Sequence, residues 1–218
     1  MPRARLKVDL LIFDLDGTLI DSRRDIAEAV NHALATLGLP PLPHERIASY
    51  VGDGTAELIR RSLGPRHTAL LEPALAAFMD HYSRHLVDHT TLYPHAKETL
   101  DRYAHKPMAL ISNKPERLVR AILEALRIAP YFTWVLGGDS LPRKKPDPAP
   151  VVRVLEASGV RCDRALMIGD SPTDIQAGRA AGTRTCGVTY GYKPPETVAA
   201  AGPDLLIASL EELPRHVC

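Results

Sequence analysis

The sequence predicts an α/β protein in which a doubly wound, Rossmann-like parallel sheet is interrupted by an inserted all-helical domain. From Tyr93 onward, short apolar runs rich in branched side chains alternate with amphipathic helical segments, which is typical of a parallel sheet covered on both faces. One further apolar run, residues 8–13, precedes a long stretch with helical periodicity and no convincing strand. We therefore predict a core formed by residues 1–18 and 92–218, and a helical insertion formed by residues 19–91.

Each core element has a local sequence signal. A helix is expected to open at Pro115, and two more are expected at residues 148–158, before Gly159, and at residues 172–181. Ser209 and Glu212 have the spacing of a capping box for a final helix. The predicted strands are the apolar runs at residues 8–13, 108–111, 132–136, 165–168, 185–188 and 205–207.

The predicted insertion consists of helices. Ser22 is a candidate N-cap for a helix that ends at Gly38, after which a proline-rich segment breaks the chain. Shorter helices are expected at residues 45–50 and 55–63. A longer one carries its apolar face through Tyr82.

Composition excludes several classes of protein. With 24% charged residues and a formal net charge of +1, the chain lacks the basic excess of a nucleic-acid-binding protein. No apolar run approaches the roughly 20 residues of a membrane span, and we expect no signal peptide, because the first apolar run ends in aspartates. Three cysteines without a CxxC spacing favour a cytoplasmic protein. No feature predicts a protein partner.

Polar side chains follow three of the predicted strands, at the point where each strand ends. Because the carboxyl ends of parallel strands meet at one edge of a sheet, we expect these side chains to share a pocket. Paired carboxylates repel each other, and oxygen ligands favour a hard cation such as Mg²⁺. The strand-end residues, with one lysine from a proline-rich loop, are Asp14, Asp16, Ser112, Asn113, Lys145, Asp170 and Asp174.

This set of side chains suits phosphoryl transfer. A carboxylate that approaches a phosphate is repelled by about 4 kcal/mol per pair of unit charges at 4 Å and an effective dielectric constant of 20. A divalent cation and a lysine cancel that repulsion. The expected partner is a small phosphorylated metabolite.

The motifs DxDGTLxDS, SNK, KP and GDSxxD, in this order, resemble those of the haloacid dehalogenase superfamily of phosphatases. The helical insertion resembles the first type of cap in that family. The resemblance implies that Asp14 is the nucleophile that forms an aspartyl-phosphate. It implies that Asp16 protonates the leaving oxygen and later activates water, with Thr18 helping to orient it.

The same resemblance implies the binding residues. Ser112 and Asn113 would hold the transferring phosphoryl group, and Lys145 would neutralise charge, since it directly precedes the motif's proline and Lys144 does not. Asp174 would support the site or join it. The ligands of Mg²⁺ would be Asp14, the backbone carbonyl of Asp16, and Asp170.

Two other chemistries are weighed against this one. Family members that cleave carbon–halogen bonds lack the second aspartate and need no metal, so Asp16 argues for phosphate esters. A non-catalytic phospho-aspartate switch domain also uses strand-end aspartates, a hydroxyl and a lysine. Such a domain lacks a large helical insertion and an acid at the position of Asp16.

The sequence of the insertion indicates which substrate the protein acts on. Its segment SYVGDGTAELIRRSLG resembles the VGxGxxxL stretch of phosphoglycolate phosphatases, which implies hydrolysis of 2-phosphoglycolate to glycolate and phosphate. Gly52 and Gly54 would let the chain approach a small substrate, and Arg60 and Arg61 could supply a cation for its carboxylate. Pyrophosphate and sugar phosphates stay open as alternative substrates, because they would change only the cap.

Overall fold

The computed structural model describes residues 5–218 and contains a six-stranded sheet in the order β5-β4-β1-β6-β7-β8, with every pairing parallel. A separate two-stranded ribbon pairs β2 with β3. The predicted α/β class and parallel sheet are confirmed, and residues 1–4 of the first core segment lie outside the described residues. The strands are β1 (Leu10–Phe13), β2 (Ile20–Asp21), β3 (Thr91–Leu92), β4 (Met108–Ile111), β5 (Trp134–Leu136), β6 (Ala165–Gly169), β7 (Arg184–Val188) and β8 (Leu205–Ile207).

Ten α-helices and four short 3₁₀ segments make up the remaining regular structure of residues 5–218. Within that same range, no helix combines the length and the apolar character needed to cross a bilayer. The 3₁₀ segments are Pro65–Leu70, Ala129–Tyr131, Cys162–Arg164 and Leu210–Glu212. The helices are α1 (Arg23–Thr36), α2 (His44–Ser49), α3 (Thr55–Leu63), α4 (Leu71–Tyr82), α5 (Ala96–Arg102), α6 (Glu116–Ala125), α7 (Ala149–Ser158), α8 (Pro172–Ala180), α9 (Pro195–Ala200) and α10 (Leu213–His216).

The sheet winds outward from β1 in both directions. The chain runs from β1 through β4 to β5, then crosses back to β6 on the other side of β1 and continues to β8. In doubly wound sheets, this reversal opens a crevice beyond the carboxyl ends of the central strands. The residues that follow β1 and β6 therefore lie where this fold places its ligands.

Both faces of β1 are buried. Phe13 packs in one hydrophobic cluster with Leu100 of α5 and Ile122 of α6, whereas Ile12 packs in another with Val154 of α7. The alternation follows from strand geometry, in which successive side chains point to opposite faces. Full burial of such a side chain contributes about 1.5–3 kcal/mol. The strand that carries Asp14 is therefore held on both sides.

Helices α1 to α4 form a hydrophobic cluster of their own. Ile26 and Val30 of α1 contribute to it, together with Ile59 of α3 and Phe78 of α4. Leu118 of α6 belongs to the same cluster, so the insertion packs directly against the core. This contact holds the insertion over the carboxyl edge of the sheet.

A short antiparallel ribbon joins the insertion to the core. Ile20 pairs with Leu92 and Asp21 with Thr91, so the chain leaves and re-enters the core on adjacent strands. We expected no strand between residues 19 and 91, and the two-residue strand β2 corrects that prediction, because such a strand is too short to produce a periodic pattern. The domain boundaries themselves stay a prediction.

The buried carboxylate of Asp25 reinforces this junction. It lies in the first turn of α1 and is 2% exposed. It accepts hydrogen bonds from the backbone N–H groups of His89 and Thr90 and from the Thr90 hydroxyl, at 2.7–3.0 Å. The start of α1 is thereby fixed to the segment that leads into β3.

The final helix begins differently from the prediction. Ser209 accepts a hydrogen bond from the backbone N–H of Glu211, whereas the Glu212 carboxylate accepts one from the backbone N–H of Ala208. A 3₁₀ turn therefore precedes α10, and the predicted capping box between Ser209 and Glu212 does not form.

We predict that Ile12→Ala destabilises the protein by about 2–5 kcal/mol, because it opens a cavity beside a fully buried central strand. Leu206→Ala is the control, since Leu206 lies on the edge strand β8 and is 45% exposed, and its loss should cost about 0.5 kcal/mol or less. Urea unfolding measures both changes in free energy. Equal losses for the two variants would contradict the central position of β1.

Candidate active site

The predicted core residues surround one pocket at the carboxyl edge of the sheet. Its volume is about 50 Å³, and part of its wall comes from the helical insertion. Gly52 and Gly54 of the insertion line it as well. The core residues that line it are Asp14, Asp16, Ser112, Asn113, Lys145, Asp170 and Asp174. Their convergence follows from the strand order, because Asp14, Ser112 and Asp170 directly follow three adjacent strands.

Lys145 is the buried cation at the centre of this pocket. Its Nζ donates to Asp14 Oδ1 at 2.7 Å, to Asp174 Oδ1 at 2.7 Å and to the carbonyl of Ile111 at 2.6 Å. Burial alone would lower the pKa of Lys145, but the two aspartates outweigh it and raise that pKa. Because an ammonium has three N–H groups, all the donors of Lys145 are used in hydrogen bonds to the protein. It places a positive charge beside Asp14.

Three carboxylates crowd this cation. Oxygen atoms of Asp14, Asp170 and Asp174 lie within 4.8 Å of one another, and each side chain is buried. Burial raises the pKa of Asp14 well above its ordinary value, against the attraction of Lys145. Burial, and next the neighbouring Asp174, raise the pKa of Asp170 to about 7. One lysine does not balance three carboxylates, and the all-oxygen donor set fits a hard divalent cation such as Mg²⁺.

Local backbone features position Asp170 and Asp174. Gly17 has a φ of +87°, and a Cβ there would lie 2.2 Å from Asp170 Oδ2, so only glycine permits this approach. The backbone N–H of Tyr192 also donates to Asp170, at 2.6 Å. Asp174 forms a capping box with Ser171 at the start of α8. Both Asp174 oxygens are thereby engaged, as suits the supporting role predicted for it.

Ser22 holds the carboxylate of Asp16. The Ser22 hydroxyl donates to Asp16 Oδ1 at 2.5 Å, and the Tyr192 hydroxyl lies 2.9 Å from the same serine oxygen. We expected Thr18 to orient Asp16, but Thr18 Oγ1 is buried and has no hydrogen-bond partner among residues 5–218. We expected Ser22 to cap α1 with its side chain, and its contact with Asp16 replaces that cap.

Lys114 is a site residue to which the sequence had assigned no role. It is 8% exposed, and its Nζ donates to Asp16 Oδ1 at 2.7 Å and to the Tyr82 hydroxyl at 2.8 Å. The Nζ also lies 5.0 Å from the centre of the Tyr82 ring. The SNK motif contained this lysine, but its contact with Tyr82 depends on how the insertion packs. Local sequence carries no signal for that contact.

Ser112 and Asn113 differ in what they offer a phosphate. Ser112 Oγ accepts a hydrogen bond from the backbone N–H of Lys114 at 3.2 Å, which leaves its own hydrogen for a ligand. Asn113 donates both amide hydrogens to protein carbonyls, those of Gly52 and Lys145, each at 2.8 Å. The side-chain amide of Asn113 therefore links two loops. Both of its N–H groups are used in these links, so the amide has none left for the phosphate contact that we predicted.

The insertion residues proposed for specificity fall into two groups. Gly52 and Gly54 have φ values of +124° and +94°, and a Cβ on Gly54 would lie 2.4 Å from Lys144 Nζ. These glycines permit close approach to the core. Arg60 is exposed, pairs with Glu57, and is absent from the pocket lining within the described chain. The structure thus gives Arg60 no contact with a substrate in this pocket.

Comparison with known proteins identifies the family. The chain matches the family model described as haloacid dehalogenase-like hydrolase over residues 11–188. It is 45% identical over 213 residues to a phosphoglycolate phosphatase of Pseudomonas putida, covering 94% of this chain and 78% of that protein. It is 41% identical to a phosphoglycolate phosphatase of Chromobacterium violaceum, covering 94% and 95% of the two chains.

A solved structure agrees with this comparison. The crystal structure of a predicted phosphoglycolate phosphatase from Haemophilus somnus superposes with a TM-score of 0.90 at 31% identity, covering 96% of this chain and 97% of that one. The protein described here belongs to the haloacid dehalogenase-like hydrolase family. The predicted enzyme class, a phosphatase that acts on phosphoric monoesters, is confirmed.

We predict that Ser22→Ala lowers kcat/KM at least about 10-fold, because Asp16 loses a charge-assisted hydrogen bond that fixes its orientation. Thr18→Val is the matched control and should leave kcat/KM nearly unchanged, since the hydroxyl that it removes is unpaired within residues 5–218. Steady-state kinetics with a phosphate monoester measures both. A larger loss in Thr18→Val than in Ser22→Ala would return the orienting role to Thr18.

Proposed function

We propose that the protein is a Mg²⁺-dependent phosphatase that hydrolyses 2-phosphoglycolate to glycolate and phosphate through an aspartyl-phosphate on Asp14. The observation that carries the proposal is the pair formed by the buried Asp14 and the partly buried Asp16 in one pocket, each held by its own lysine. The names of relatives with 40–45% identity support the choice of substrate.

Asp14 supplies the attacking oxygen. Lys145 donates to its Oδ1, and Oδ2 accepts no hydrogen bond from residues 5–218, so Oδ2 is available to attack phosphorus. A nucleophilic carboxylate must be ionised, and the ammonium of Lys145 favours the ionised form against the cost of burial. When bound, Mg²⁺ supplies the charge that offsets the repulsion between carboxylate and phosphate. Its ligands would be Asp14, the backbone carbonyl of Asp16, and Asp170.

Asp16 acts first as the general acid and then as the general base. Lys114 and Ser22 both bind Oδ1 of Asp16, which leaves Oδ2 for the leaving oxygen of the ester. Asp16 donates a proton there as the P–O bond breaks, and then accepts one from the water that hydrolyses the aspartyl-phosphate. The Ser112 hydroxyl donates to a phosphoryl oxygen during both steps.

The helical insertion acts as a cap that excludes bulk water. Three core side chains bind backbone carbonyls at the end of α2 and in the loop that follows it: Lys193 binds Ser49, Asn113 binds Gly52 and Lys144 binds Asp53, at 2.6–2.8 Å. The loop is thereby closed over the pocket. In that closed arrangement, Asp14 is 7% exposed.

The pocket lining favours a small ester. The apolar side chains that the insertion contributes, such as Val51, Leu58 and Phe78, give the hydroxyl groups of a sugar no hydrogen-bond partner. Pyrophosphate remains an alternative substrate, since it needs no additional space for carbon. A switch domain would not need Asp16 beside the nucleophile. The cytoplasmic location, which we inferred from cysteine usage, stays a prediction.

The test is a panel of phosphate esters assayed with Mg²⁺. We expect kcat/KM for 2-phosphoglycolate to exceed that for pyrophosphate and for glucose 6-phosphate by at least about 10-fold, because only the first offers both a small size and a carboxylate. Either alternative performing as well as 2-phosphoglycolate would contradict the proposed substrate. Release of a single equivalent of glycolate, with the phosphoryl group kept on Asp14 and no turnover, would support the switch.

The control variant is Asp14→Asn, which keeps the shape of the side chain and removes the nucleophile. We expect turnover of every ester in the panel to fall about 10⁴-fold or more. Residual turnover near that of the unaltered protein would exclude the aspartyl-phosphate.

A further inference from the structure

Two lysines line the pocket, and they differ in how many of their hydrogens are used. Lys145 donates all three N–H groups to protein acceptors. Lys114 donates one to Asp16 and one to Tyr82, and its third N–H has no acceptor among residues 5–218. Lys114 is 92% buried, and leaving one N–H of a buried ammonium without an acceptor is costly, so the pocket suits an acceptor on a ligand at this position.

The position of this free donor relative to the chemistry is informative. The Nζ of Lys114 lies 2.7 Å from Oδ1 of Asp16, the group that protonates the leaving oxygen in the proposed mechanism. In a 2-phosphocarboxylate, a single carbon separates the leaving oxygen from the carboxylate. A substrate whose leaving oxygen meets Asp16 therefore brings its carboxylate next to Lys114.

Other nearby cations are already engaged by the protein. Lys144 and Lys193 bind backbone carbonyls of the insertion, and Arg61 pairs with Asp53 and Glu57. The pocket wall that the insertion adds is mainly apolar, with Val51, Leu58 and Phe78 among its residues. The polar side chains in this wall are Thr55 and Tyr82, and neither brings a positive charge to a carboxylate. Among the pocket-lining residues of the described chain, Lys114 is thus the cation that has an N–H group without an acceptor.

The contacts of Lys114 fix the position of its ammonium group and keep that group positively charged. The Tyr82 hydroxyl and ring, both from α4, contact the ammonium in addition to Asp16. Burial alone would lower the pKa of Lys114, but Asp16 and then Tyr82 outweigh it and raise that pKa. A rigid, permanently charged donor can discriminate between ligands by charge.

We infer that Lys114 binds the carboxylate of the substrate and selects phosphate esters whose leaving group is a 2-hydroxycarboxylate. This inference rests on the proposed phosphatase chemistry and supplies the carboxylate partner that Arg60 does not provide. Lys114 is on this view a specificity residue in contact with substrate. A role confined to holding Asp16 would affect all phosphate esters alike.

The experiment compares 2-phosphoglycolate with ethyl phosphate, which has the same number of carbons and no carboxylate. Both are offered together to the full chain with Mg²⁺, and the ratio of their kcat/KM values is measured, since that ratio is independent of the fraction of active protein. In Lys114→Met, we expect the ratio to fall about 10- to 100-fold, as for the loss of one hydrogen bond between charged groups. The change should appear mainly as a higher KM for 2-phosphoglycolate.

Two variants serve as controls. Lys144→Met removes a lysine that binds the insertion but does not line the pocket, and it should keep the ratio of the unaltered protein. Lys114→Arg keeps the charge and should restore part of the preference. An unchanged ratio in Lys114→Met, with both substrates slowed equally, would overturn the inference.

A measurement on the unaltered protein covers the case in which Lys114→Met does not fold. Its kcat/KM should decrease from 2-phosphoglycolate to ethyl phosphate to 2-aminoethyl phosphate, because the lysine attracts the first and repels the last. An amine ester hydrolysed as well as ethyl phosphate would overturn the inference. If ethyl phosphate is preferred to 2-phosphoglycolate, the proposed substrate fails and the inference fails with it. A preference for 2-phosphoglycolate that survives in Lys114→Met overturns the inference alone.

Discussion

The cost of burying negative charge governs this site. Asp14, Asp16, Asp170 and Asp174 lie together at the edge of one sheet, and two lysines enter as their partners. Removing one partner from a buried ion pair costs about 3–5 kcal/mol, so each lysine is required by the carboxylates that it contacts. The four carboxylates still exceed the two ammonium groups. In the proposed function, a divalent cation would restore the balance, and a phosphate could then enter a pocket that would otherwise repel it.

The fold makes this concentration of charge possible. Reversal of the winding direction at β1 brings the residues after β1, β4 and β6 side by side, and the packed helices on both faces keep those strand ends in place. The insertion then covers the crevice and contributes Tyr82 and Ser22 to the surroundings of Asp16. Asp14 and Asp16, the groups proposed to be catalytic, therefore follow the end of a rigid strand, whereas the hydrogen bonds that orient Asp16 involve residues of a separate helical region.

Prediction from sequence succeeded where the signal is local. The run 108–111 and the helix 55–63 match β4 and α3 residue for residue, because periodicity and flanking breakers depend only on neighbours in the chain. It failed where contacts are distant: Lys114 meets a tyrosine 32 residues away, and Ser22 takes the place of Thr18 because its hydroxyl turns toward Asp16. The motifs indicated which residues lie together in the site. The direction of each hydrogen bond, which only the structure shows, decides which donors and acceptors remain for a ligand.

The most direct measurement of this charge balance is thermal stability against pH, with and without Mg²⁺. Since burial and Asp174 raise the pKa of Asp170 from 3.8 to about 7, this group in the folded metal-free protein holds a proton that the unfolded chain releases, and its own contribution to stability falls as pH rises from about 4 through 7. Mg²⁺ needs the ionised carboxylates, so its stabilising effect should grow across that same range and then level off. Asp170→Asn should remove most of this growth. A Mg²⁺ effect that is absent, or that stays constant between pH 5 and 8, would contradict the account.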